Sequence, residues 1–112
     1  MGRRSVERID DVREADERVL EHLTQLGCDP STPRETRHFL SVPDRPGAKV
    51  VAAKLSEDGW ETSISPCGDG VWLVEAWQTR SLTPEVVRDT RDRFELLAAD
   101  HRGLYEGWEA AR

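Results

Sequence analysis

From Val6 to Leu26 the apolar residues Ile9, Val12, Val19, Leu20, Leu23 and Leu26 recur at helical spacing, which predicts an amphipathic helix ended by Gly27. Asp16 interrupts this stripe, so firm packing is expected from about Ala15. Residues 1–14 then read as a basic leader with a frayed helix start, and 15–112 as a single domain. Pro30 and Pro33 make the next segment a loop. Beyond it the period changes to two: Thr36, His38, Leu40 and Val42 share one face of a strand, and Arg37, Phe39 and Ser41 the other. Asp44 offers a helix N-cap, Ala48, Val51, Ala52 and Leu55 form a narrow stripe, and Gly59 ends the helix. In the next strand Trp60, Thr62 and Ile64 alternate with Glu61, Ser63 and Ser65, and Pro66 to Gly70 has hairpin-turn chemistry.

The run Val71 to Thr79 carries Val71, Leu73 and Trp77 on one face and Trp72, Val74 and Ala76 on the other, so it is expected in the middle of a sheet. Thr83 before Pro84 starts a last helix, with Val87, Phe94, Leu97, Ala98 and His101 inward and Arg88, Asp89, Arg91, Asp92, Arg93 and Glu95 on a solvent face. Gly103 closes it, and Leu104 to Glu109 is a short aromatic strand. The resulting βαββαβ order predicts an α+β fold: a ferredoxin-like sandwich whose four-stranded antiparallel sheet has the order 4-1-3-2, with an additional N-terminal helix. That helix is expected to cover either the open sheet face or a helix edge. Alternation along the last strand predicts Tyr105 and Trp108 on opposite faces, so that at most one is core.

Length and charge narrow the function. A chain of 112 residues supports one hydrophobic core, and 34% charged residues imply a densely ionised surface. The net charge of -6 disfavours nonspecific attraction to nucleic-acid phosphates and anionic lipid, so no direct nucleic-acid binding is expected and a basic partner fits better. No apolar run reaches membrane-spanning length. Cys28 and Cys67 lie outside any metal or redox spacing, and the first residues do not resemble a secretory signal, so the expected compartment is the cytoplasm.

Catalytic candidates are scattered. His22 falls on the polar side of the first helix and His101 at the end of the last one, where the helix dipole explains it. His38 shares its face with Leu40 and Val42 and reads as a buried, hydrogen-bonded histidine. The alternative is a small-ligand-binding or enzymatic domain with a pocket near His38. Gly68 and Gly70 have hairpin rather than phosphate-loop spacing, and neither cofactor nor metal is expected. The aromatics Trp60, Trp77 and Trp108 have carboxylates beside them, which suits a protein partner better than stacked bases. The expected partner-binding residues are Trp60, Glu61, Tyr105, Glu106, Trp108 and Glu109. A homodimer through the polar edge of the second strand is a further expectation.

Four segments resemble one family. They are Asp16 to Leu23 with Gly27-Cys28-Asp29, Pro33-Arg34-Glu35 running into His38-Phe39-Leu40, Gly59-Trp60-Glu61, and Gly103-Leu104-Tyr105-Glu106-Gly107-Trp108-Glu109. Over about Asp16 to Ala111 the chain is similar to the regulators of ribonuclease activity B, RraB, protein inhibitors of ribonuclease E. The resemblance implies a ferredoxin-like core and a noncatalytic inhibitor that binds a ribonuclease of the E/G type and alters RNA turnover.

Overall fold

The computed structural model describes residues 32–111 together with residues 18, 20–22, 24, 25 and 27. The expected leader and Cys28 lie outside the described residues. Strands β1 (Arg34–Val42), β2 (Glu61–Gly68), β3 (Val71–Arg80) and β4 (Leu104–Ala110) alternate with helices α1 (Arg45–Glu57) and α2 (Pro84–Asp100) in βαββαβ order. The sheet runs β2-β3-β1-β4 with every neighbouring pair antiparallel, as the 4-1-3-2 expectation requires.

Local chemistry sets the element ends. Asp44 Oδ1 accepts the Gly47 amide at 2.7 Å and opens α1, while Thr83 Oγ1 accepts the Val86 amide at 3.4 Å and opens α2 behind Pro84. Asp69 and Gly70, both at positive φ, form the two-residue turn between β2 and β3. Two paired bonds close α1, from the amides of Gly59 and Trp60 to the carbonyls of Ser56 and Leu55, with Gly59 left-handed between them. The same motif closes α2, where the Arg102 and Gly103 amides reach Ala99 and Ala98. Here, however, Arg102 takes the left-handed φ of 59°. Gly103 is required for a different reason: a Cβ there would run into the Ser41 carbonyl oxygen of β1.

Both helices cover one face of the sheet. Leu40 and Val42 of β1, Val51 and Leu55 of α1, and Val74 and Ala76 of β3 meet Phe94 and Leu97 of α2 in a single buried core. Helical residues Arg18, Leu20 to His22, Thr24 and Gln25 represent the N-terminal helix. Leu20 packs with Leu82, Val87, Trp108 and Ala110, at the helix edge rather than on the open sheet face.

Two expectations are corrected. Arg91, assigned to the solvent face of α2, is only 7% exposed. Three- and four-residue spacing places it with Val87, Phe94 and Leu97 on the inner stripe, and its charge is met by Glu95 at 3.1 Å. Tyr105 and Trp108 do not face opposite ways. Leu40 pairs with Tyr105 and His38 with Trp108, because a bulge between these pairs inserts one extra residue into β4. Gly107, at φ +117°, supplies the conformation the bulge needs, and both aromatics turn toward the helices.

Candidate functional site

The helix-side face of β1 carries an aromatic box around His38. Its imidazole stacks on Phe94 at 4.4 Å between centroids, meets the edge of Trp60 at 5.3 Å and lies 6.0 Å from Trp108. Its Nδ1 and the Tyr105 hydroxyl share a hydrogen bond of 2.8 Å. Trp60 is buried in the core, Tyr105 half-buried against it, and Trp108 half-buried beside Leu82 and Val87. The space left beside His38, also lined by Thr36, Arg80 and Trp108, amounts to about 10 Å³. That is about the room one water needs, so nothing larger enters the His38 pocket without movement of its walls.

Burial, reinforced by the positive charge of Arg80, lowers the His38 pKa from 6.5 to about 3. The folded chain therefore keeps this ring neutral, whereas the unfolded chain protonates it below about pH 6.5. Stability from this group is complete above pH 6.5 and is lost as pH falls toward 3, by about 1.4 kcal/mol for each pH unit. Denaturant unfolding is expected to show a loss of about 2 kcal/mol between pH 6.5 and pH 5, and a His38→Leu variant is expected to lose that component of the slope.

The opposite face is the open side of the sheet, and cross-strand register orders its side chains into rows. One row reads Glu61 of β2, Trp77 of β3, Arg37 of β1 and Glu109 of β4. The next reads Ser63, Glu75, Phe39 and Gly107, and the third Ser65, Leu73, Ser41 and Leu104. Trp77, Phe39 and Leu73 are half-buried among their neighbours, and Leu104 is exposed. The Arg37 guanidinium lies 4.4 Å from the centre of the Trp77 ring and 3.7 Å from Glu75. Glu106, displaced by the bulge, accepts a hydrogen bond from Ser41 Oγ at 2.7 Å. Among the described residues, Glu35, Glu61, Glu106 and Glu109 thus lie around a centre made by Trp77, Phe39 and Leu73 with the paired Arg37 and Glu75.

The six residues expected to bind a partner are divided between the two faces. Glu61, Glu106 and Glu109 are exposed on the open face, whereas Trp60, Tyr105 and Trp108 turn inward and hold β4 and the start of β2 against α2. Trp77 and Phe39 occupy the centre of the open face instead. Strand alternation carries the signal for both, since it sets them opposite Ala76 and Leu40. Among the described residues no three His, Cys, Asp or Glu side chains converge as metal ligands do, and no helix is long and apolar enough to cross a membrane.

Among the described residues, a small sandwich whose histidine is sealed in aromatic packing offers an acidic and aromatic sheet face as a surface rather than a cleft. The family model of the regulator of ribonuclease activity B, RraB, matches residues 13–110, and the chain belongs to that family. Membership implies a noncatalytic regulator, an inhibitor of ribonuclease E, and not an enzyme. No curated protein matches the chain.

Proposed function

We propose that the chain inhibits ribonuclease E by laying its open sheet face against basic, RNA-binding surface of the enzyme. One observation carries this reading: the row Glu61, Trp77, Arg37, Glu109, in which an aromatic centre lies between exposed carboxylates. Carboxylates of this kind steer and orient a cationic partner, while a central aromatic supplies the desolvated anchor that dominates interface energies. Glu61, Glu106 and Glu109 are the partner-binding carboxylates. Trp60, Tyr105 and Trp108 contribute by fixing the strands that present them.

Other ribonucleases of the E/G type that expose a basic RNA path would be bound in the same way, and the compartment that goes with such targets is the cytoplasm. RNA itself is not the ligand, because the carboxylates would repel its phosphates. A second copy of the chain would pair along β2, the edge strand that carries Glu61, Ser63 and Ser65.

The test is a cleavage assay of purified ribonuclease E on a short RNA with the protein in excess. The expected result is slower cleavage, weakening as salt rises from about 0.1 M to about 1 M and the screening length falls from about 10 Å to about 3 Å. Unchanged cleavage at low salt would refute the reading.

A further inference from the structure

On the helix side, the C-terminal end of α1 and the middle of α2 leave between them a groove of about 270 Å³. It lies beyond Arg80 from the His38 box and on the opposite face from the proposed ribonuclease surface. We propose that this groove binds a single carboxylate carried on an aromatic or apolar body, with Arg80 as the residue that receives it.

Arg80 is held at two points. Its Nη1 donates to Thr90 Oγ1 at 2.7 Å, and its guanidinium lies 5.3 Å from the centre of the Trp60 ring. These contacts fix the plane of the group and leave its charge uncompensated. Among the described residues Arg37, Arg91 and Arg93 are each bonded to a carboxylate, whereas Arg80 has none. The positive charge is felt inside the domain, where it helps to keep His38 neutral. A half-buried, oriented guanidinium with donors to spare matches a carboxylate in a planar, two-bond geometry.

The walls select the kind of anion. Trp60, which shows 6% of its surface, closes the base of the groove, packed edge to face at 5.1 Å on the fully buried Phe94 behind it. Arg93 spans the mouth to Asp58 at 3.2 Å, so this second cation is already engaged. Asp89 adds negative charge at the rim. A dianion such as a phosphate meets two rim carboxylates and only one uncompensated cation, whereas a monocarboxylate balances Arg80 alone. The volume is near the lower limit of small-ligand sites, about 300 Å³, and suits a ligand of roughly ten non-hydrogen atoms.

Two sources share this chemistry: a free small acid, and a glutamate side chain flanked by apolar residues on a protein partner. The probes are phenylacetate and its neutral analogue phenylacetamide, titrated into the full chain while backbone, indole and guanidinium N–H resonances are followed. Phenylacetate is expected to shift the Trp60 indole and Arg80 Nε signals with a Kd on the order of 1 mM, and phenylacetamide to bind about tenfold more weakly. An Arg80→Gln chain that retains the native spectrum is expected to bind the two probes equally. If that variant does not fold, the acid-to-amide comparison on the unaltered chain decides alone. Equal binding of acid and amide by the unaltered chain, or no shift at Trp60 and Arg80 at about 20 mM acid, would overturn the proposal. A Leu-Glu-Phe peptide with both ends blocked, compared with its Leu-Gln-Phe counterpart, separates the sources. Tighter binding of the glutamate peptide than of phenylacetate supports the site with a protein side chain as its ligand, and weaker binding supports it with a free acid.

Discussion

A Gly103→Ala chain is expected to lose about 3 kcal/mol of stability and to melt about 12 °C below the parent. The added methyl would run into the Ser41 carbonyl oxygen and meet Val42 Cγ1 at 2.8 Å. Neither neighbour can retreat cheaply. Ser41 and Val42 end a central strand that is paired with β3 on one side, while β4 begins at Leu104 on the other. Moving Gly103 away instead would disturb the bonds from the Arg102 and Gly103 amides that close α2. Thermal unfolding followed by circular dichroism checks this. A midpoint within about 3 °C of the parent would mean that the junction between α2 and β4 is looser than described.

Charge reversal on the open face is expected to have the largest effect on binding. Glu61→Lys with Glu109→Lys changes both ends of the row centred on Trp77 and Arg37 and takes the formal net charge from -6 to -2, since each reversal adds two. Both side chains are exposed, so the fold should tolerate the change within about 0.5 kcal/mol each. Affinity for ribonuclease E should fall about 100-fold, by lost attraction and by new repulsion between like charges. Truncating Trp77 to Ala should cost about 2 kcal/mol of binding for a different reason, removal of the central aromatic anchor.

Much of the fold was legible because its signals are local and redundant. Asp44 and the Thr83-Pro84 pair mark helix starts by what their atoms can bond, and two-sided apolarity in Val71 to Thr79 requires a central strand. The sealed position of His38 follows from its register with Leu40 and Val42. The rest depends on exceptions to period and residue type. A bulge adds one residue and reverses every side chain beyond it, so strict alternation misplaced Trp108 relative to Tyr105, although Gly107 inside the strand was the available cue. The charge of Arg91 points to the solvent face, while its spacing from Val87 and Phe94 puts it inside. Arg102 took the left-handed position expected of a glycine because the adjacent Gly103 was needed for close approach to β1.

The candidate surface was legible in half. Its carboxylates Glu61, Glu106 and Glu109 were found beside aromatic residues in sequence, but the aromatics that share their face come from other strands. Trp77 joins Glu61 through β3, and Phe39 joins Glu75 through β1. Neighbours in sequence along a strand point to opposite faces, so an aromatic next to a carboxylate in the chain is the one least able to share its surface.

The most direct test is the affinity of ribonuclease E for two charge-matched variants. One is the open-face pair Glu61→Lys and Glu109→Lys. The other is Glu57→Lys with Asp100→Lys, exposed residues at the ends of α1 and α2 that produce the same net charge. Inhibition through the open sheet face predicts that the first pair loses about 100-fold in affinity and the second less than about threefold. Equal losses in both pairs, or a larger loss in the helix-end pair, would contradict it.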